Sequence, residues 1–144
     1  MAKQPWIWRA VGATAFVITC SGIVFLIHPT MIERPAFAGG GFSGSALRWV
    51  RAIDPPNNCF PSLHVGLATC CGLIWRKAAP RRGPLLLLWT ASIAVSTLTT
   101  KQHYLIDVLG GLLVAAIAWV LFFVLPLGRR APLGRARSRE EAGD

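Results

Sequence analysis

Four cysteines are present, but Cys20, Cys59, Cys70 and Cys71 form no paired zinc spacing. Three of them fall inside apolar segments, which argues against a disulfide framework and for cysteine as a small apolar residue. There is no internal repeat, so a solenoid or other array is excluded. Aromatic and basic residues do not alternate on any soluble face, so nucleic acid is not an expected partner despite a net charge of +9. Acidic residues are scarce, with 6 against 15 lysines and arginines. What the chain has in quantity is apolar surface. Of its 144 residues 53% are hydrophobic and the mean hydropathy is +0.51. That is too apolar for a soluble domain of this size, whereas apolar runs near twenty residues suit a bilayer. One domain is expected at this length.

Four apolar segments are predicted as helices, over residues 6–27, 61–75, 84–100 and 104–127. At a rise of ~1.5 Å per residue the third would reach ~25 Å and the fourth ~36 Å, enough to cross hydrocarbon with some tilt. The second is short unless Arg76 and Lys77 extend to the interface. The expected fold is therefore all-α, an integral membrane bundle of about four transmembrane helices within residues 1–128. A basic and then acidic tail, 129–144, reads as disordered. Residues 28–60, with Gly39-Gly40-Gly41 and Pro55-Pro56, read as one long loop, and 76–83 and 101–103 as short turns.

Eleven of the fifteen basic residues fall on the side of the termini and the 76–83 turn. Arg34, Arg48, Arg51 and Lys101 fall on the other. The positive-inside rule makes the first side cytoplasmic, so the long loop and the 101–103 turn face outward in a multi-pass protein of the cell membrane. Ala36-Phe37-Ala38 loosely resembles a signal-peptidase site, but the apolar run before it is long and distant, so a retained helix is expected.

Two polar clusters stand at that outer level. His103 and Asp107 are spaced i, i+4, which on a helix would share one face. Asp107 could then hold one imidazole nitrogen and leave the other free as nucleophile or base. Ionisable groups at the end of a membrane segment are costly there, and that favours a functional reading over a simple anchoring pair. Pro61-Ser62-Leu63-His64 opens the second segment, with Pro61 expected in the first helical turn. Ser62 and the helix amides would cradle an anion, and His64 could donate a proton to a leaving oxygen. Lys101 and Arg34 offer positive charge to phosphate oxygens. A metal site from His28, His64, His103 and Cys59 is disfavoured, since no pair has a usual ligand spacing.

These motifs resemble the type 2 phosphatidic acid phosphatase superfamily, whose pattern is K-x6-R-P, P-S-G-H and S-R-x5-H-x3-D. Arg34-Pro35 is similar to the end of the first motif. Pro61-Ser62-Leu63-His64 is similar to the second, with leucine for glycine, and Ser96, His103 and Asp107 to the third. The runs F-P-S-L-H-V and T-K-Q-H-Y-x-x-D, with Asp54-Pro55 and Asn58, resemble its inositolphosphorylceramide synthase-like branch. The resemblance spans about residues 28–112. It departs where the family lysine falls at Ile27 and the third-motif arginine at Thr97.

The resemblance implies a metal-independent and cofactor-free phosphoryl transfer. His103 would be the nucleophile, Asp107 its support and His64 the acid and base. Lys101, Arg34 and Ser62 would hold phosphate. It implies a lipid phosphate or diphosphate as substrate, cleaved at the outer face in contact with membrane lipids. The alternatives are a transferase moving a phosphoryl-headgroup to another alcohol, and a non-catalytic relative. Family members usually have six spanning helices. Four correspond to the catalytic half, so the chain reads as a minimal member, a fragment, or one whose bundle a second copy or a partner subunit completes.

Overall fold

A computed structural model describes residues 4–34 and 39–125. The expected tail 129–144, the Ala36-Phe37-Ala38 site and the end of the fourth apolar segment lie outside the described residues. The described residues form five helices: α1 (Gln4–Ile27), α2 (Gly41–Ile53), α3 (Leu63–Ala78), α4 (Gly83–Thr99) and α5 (Leu105–Trp119). A π-helical turn, Val120–Val124, extends α5. The described residues form no strand beyond one isolated bridge between Met31 and Asn57. The all-α expectation is met. Among the described residues two helical stretches are long and apolar enough to cross a membrane, Trp6–Ile27 and Leu105–Val124; the apolar Gly83–Thr99 is shorter.

The long loop is not all loop, because α2 occupies its centre. Gly39-Gly40-Gly41 suggests a turn, but only the start of the helix uses it, with Gly41 at a φ of +76° that favours glycine. Beyond it, buried Gly44 and half-buried Leu47 and Arg51 recur at helical spacing. Phe42, Trp49 and Ile53 remain exposed.

Helices α3 and α5 form the centre of the bundle. α4 packs along α3, and α1 packs across both α3 and α5. The shared core is made of small and medium residues: Ala13 and Val17 of α1, Cys70 and Ile74 of α3, Ala115 and Ala118 of α5, with Phe123 at one end. Large apolar side chains point the other way, for example Ile18, Leu88, Trp89, Leu109 and Leu113, all exposed. Small residues inside and large ones outside suit a bundle whose surroundings are hydrocarbon, where close backbone approach drives association.

The closest approach lies at the α3–α5 crossing. A Cβ on Gly111 would stand 2.5 Å from the Ser62 carbonyl oxygen and 3.1 Å from the Gly66 amide. Both are backbone atoms and cannot swing aside. A Cβ on Gly110 would stand 2.6 Å from the Phe60 ring. Immediately beside this contact the Ser62 amide donates to the Asp107 carbonyl, at 2.9 Å. The start of α3 is thereby bolted to the start of α5.

Gly111→Ala is expected to destabilise the fold by about 1–3 kcal/mol, the usual range for overpacking a tight contact. Gly22→Ala, where a Cβ meets nothing within 4 Å, should be neutral or mildly stabilising, since alanine favours a helix interior. Thermal unfolding of the two variants in detergent micelles compares them, and equal midpoints would contradict the close crossing.

Candidate active site

Three short segments build the site. The first follows α1 and is knit to the approach to α3. The Thr30 hydroxyl accepts from the amides of Cys59 and Phe60, each at 2.9 Å. The Thr30 carbonyl accepts from Asn58 N at 2.7 Å, and Ile32 N donates to the Pro56 carbonyl at 3.1 Å. Asn58 takes a left-handed backbone, φ 57°, a conformation asparagine tolerates better than most residues. This zipper places Arg34 beside Asp54. Arg34 Nη1 donates to the Asp54 carbonyl at 2.6 Å and Nη2 to its Oδ2 at 3.1 Å.

The second segment is the start of α3. Ser62 is its N-cap and accepts from the Val65 amide at 3.4 Å. Pro61 therefore lies outside the helix, one residue before the cap, rather than in the first turn as expected. The cap position falls to Ser62 because its hydroxyl can satisfy a free amide and proline cannot. His64 is the second helical residue and is exposed.

The third segment is the turn between α4 and α5. The Thr97 carbonyl accepts from both Gln102 N, at 3.0 Å, and His103 N, at 3.2 Å. Lys101 forms the corner with φ 58°. His103 is buried but not helical, since α5 begins at Leu105. His103 and Asp107 therefore do not share a helical face; they meet through the helix cap. Asp107 Oδ2 accepts from the Tyr104 amide at 2.8 Å and stands 3.6 Å from His103 Nδ1. That separation is too long for a hydrogen bond, and Nδ1 is buried without a partner.

These segments enclose a cavity of about 170 Å³. Its walls include His64 and His103, whose ring centroids are 6.0 Å apart. Arg34, Asp54, Asn57, Asn58 and Gln102 supply the remaining polar lining, and Phe25 and Leu63 an apolar edge. The volume is below the roughly 300–1,000 Å³ of drug-sized pockets. It suits a compact polar group whose apolar remainder stays outside. The N-terminus of α3 borders it, and that end of a helix favours anions. Arg34 Nε is buried without a hydrogen-bond partner.

Burial, more than any other cause, pushes the His103 imidazole below its ordinary range. Asp107 opposes that shift, and nearby His64 adds to it. A hydrogen bond to the Cys59 backbone also opposes it, and the balance favours the neutral imidazole. Burial, followed by the field of Asp107, pushes the Cys59 thiol upward, so it stays protonated. No group of three or more metal-ligating side chains occurs among the described residues.

Of the residues singled out from sequence, the fold brings His64, His103 and Arg34 to the cavity wall, with Asp107 behind His103. Ser62 is fully buried as the cap and does not line the cavity. Lys101 is exposed and does not line it either; its neighbour Gln102 does. Asp54, Asn57 and Gln102 were not expected at the site. Asp54-Pro55 and Asn58 were visible as motif-like residues, whereas Thr30 carries no sequence signal.

A family model for the PAP2 superfamily matches residues 6–121. The chain belongs to that superfamily, and its general function is phosphatase-like. No curated protein and no solved structure matches it.

Arg34→Ala should raise KM for a phosphoric-ester substrate about tenfold or more, the scale of one charge-assisted hydrogen bond. Lys101→Ala should change it less than about twofold, as expected for a solvated charge. Steady-state kinetics on both variants decides this, and equal losses would return Lys101 to the phosphate clamp.

Proposed function

We propose that the protein cleaves a phosphoric ester of a membrane lipid at the extracytoplasmic face, through a phosphohistidine on His103. The observation that carries this reading is the pair of histidines facing each other across a small cavity, one buried and neutral, the other exposed at a helix N-terminus. In the first step a His103 nitrogen attacks phosphorus and the bond to the leaving oxygen breaks. That oxygen departs with the electron pair and takes a proton from His64. Asp107 stabilises the imidazolium that forms. In the second step His64 takes a proton from water, the oxygen attacks phosphorus and the P–N bond breaks. Arg34 and the α3 N-terminus hold the non-bridging oxygens, whose charge grows at the transition state.

Two membrane-length helices, the inside-out packing of large and small residues, and the eleven-to-four division of basic charge support the bilayer setting. In the four-span reading α3 and α4 cross alongside α1 and α5, and the cavity opens to the side poor in basic residues. The lipid alcohol, which leaves in the first step, then stays in the membrane, and the phosphate freed in the second step is released outside.

An alcohol replaces water in the second reading, which makes the protein a phosphoryl-headgroup transferase. The amides of Asn57, Asn58 and Gln102 beside the Asp54 carboxylate favour it, because they can orient a hydroxylated acceptor as well as a leaving group.

His103→Ala should lower turnover by at least ~10³-fold, the scale of losing a covalent nucleophile, while membrane insertion is unchanged. Residual activity near wild type would end the phosphohistidine assignment. Turnover should persist in EDTA. Since the His103 pKa is lowered, its reactive neutral form persists below the ordinary histidine value of about 6.5. The acid limb of kcat/KM should therefore fall below that pH. A limb above it would mean that His103 is not the group that must be neutral.

A further inference from the structure

The connection between α1 and α3 carries an apolar surface that the bundle leaves uncovered. Phe42, Ala46, Trp49 and Ile53 recur at i, i+4, i+7 and i+11 and form one stripe along α2. All four are exposed, Phe42 at 90%, Trp49 at 68% and Ile53 at 61%. The opposite face holds Gly44, Leu47 and Arg51, which are buried or half-buried. Helix α2 therefore turns its small and mixed face to its own chain and its large apolar side chains away from it. Among the described residues no other helix packs extensively on α2. A contiguous stripe of this kind marks a docking surface, whereas single exposed apolar residues do not.

The fold restricts where this stripe can lie. Asp54 is the C-cap of α2 and pairs with Arg34 at 3.1 Å. The bridge of Met31 with Asn57 and the Thr30 contacts to Cys59 and Phe60 close the same connection nearer the bundle. One end of α2 is thus clasped to the rim of the cavity, where α1 ends and α3 begins. In the four-span reading that level is the headgroup layer of the outer leaflet, a boundary that tryptophan and phenylalanine favour. Charge agrees with this placement. α2 carries Arg48 and Arg51 and no acid. Arg48 donates to the Gly39 carbonyl at 3.0 Å and the Ser45 hydroxyl at 3.1 Å, which holds the guanidinium on the exposed polar edge with further N–H donors for lipid phosphates. A second copy of α2 laid against the first would bring like charges together, whereas the phosphate layer of a leaflet complements them.

We infer that α2 docks in the phospholipid headgroup layer of the outer leaflet, with Phe42, Ala46, Trp49 and Ile53 turned into the lipid. The inference rests on the bilayer reading above and not on the phosphohistidine chemistry. Amphipathic helices with an aromatic apolar face and arginines beside it lie in the plane of the interface in this way. Because Asp54 directly follows α2, the docked helix holds one wall of the cavity at the depth of the lipid phosphates. A lipid phosphate then reaches Arg34 and the two histidines without leaving the interface.

The test uses the full chain in nanodiscs of phosphatidylcholine and phosphatidylserine, carrying an environment-sensitive fluorophore on one introduced cysteine. Cys20 and Cys71 are replaced by alanine, and the buried Cys59 and Cys70 are kept. Three positions are compared: Trp49→Cys on the stripe, Ser43→Cys exposed beside it, and Leu113→Cys exposed on α5. A spin label near the lipid headgroup should lower the Trp49→Cys emission about twofold or more, as for a helix seated roughly 5–10 Å into the interface. A spin label at the chain end should quench it less. Leu113→Cys lies about 12 Å along α5 from Leu105, and the order should be reversed there. Iodide in the water should quench Ser43→Cys and spare Trp49→Cys. Equal iodide quenching at Trp49→Cys and Ser43→Cys, with Leu113→Cys still quenched by lipid, overturns the inference and leaves the bilayer reading standing. So does a Trp49→Cys label shielded from iodide but insensitive to both spin labels, since protein and not lipid then covers the stripe. No lipid quenching at either Trp49→Cys or Leu113→Cys overturns the two together.

Discussion

The site exists because two helix starts touch. Gly111 lets the Ser62 carbonyl lie directly against α5, and the Ser62 amide then reaches the Asp107 carbonyl. Ser62 caps the helix that carries His64, and Asp107 stands behind His103. A wider crossing would separate the two histidines and open the cavity to water. Residues that never touch a substrate therefore govern the geometry of those that do. This is the logic of close helix packing in an apolar medium, where small residues let backbones approach and main-chain contacts replace bulky side-chain interlock.

Electrostatics refine what packing assembles. His103 is buried beside the equally buried carboxylate of Asp107, yet burial outweighs the carboxylate and keeps the imidazole neutral. The cavity on its other side holds the ion pair of Arg34 with Asp54. The two histidines and the aspartate lie within the residues that the superfamily model matches.

The surrounding bundle is small. α1 and the α3–α5 pair bury alanine, valine, glycine and cysteine, and they present leucine, isoleucine and tryptophan outward. Helix α2 lies apart from this core, at the same end as the cavity, with Phe42, Trp49 and Ile53 exposed. An interfacial position would suit those side chains, as aromatic residues favour the boundary between hydrocarbon and water.

Apolar segments, their order and the two polar clusters were legible in the chain because each is a local pattern. Residues 6–27 became α1, and the apolar runs after residues 60, 83 and 103 became α3, α4 and α5. Their spacing set His64 and His103 at equivalent ends of neighbouring helices. Helix α2 was less legible, since three glycines at its start look like a turn and its inward face is short. The partners of each charge were not legible at all. Nothing local marks Thr30 as the clamp that brings Arg34 to Asp54, or Gln102 rather than Lys101 as the wall residue of its turn. Nor does the i, i+4 spacing of His103 and Asp107 reveal that a helix cap, not a helix face, joins them. The sequence by itself determined which chemical groups reach one end of the bundle, because hydrophobic periodicity and length act along the chain. Only the tertiary structure decided which of them share a cavity and which neutralise each other. That depends on backbone approaches such as Gly111 to Ser62, between residues far apart in sequence.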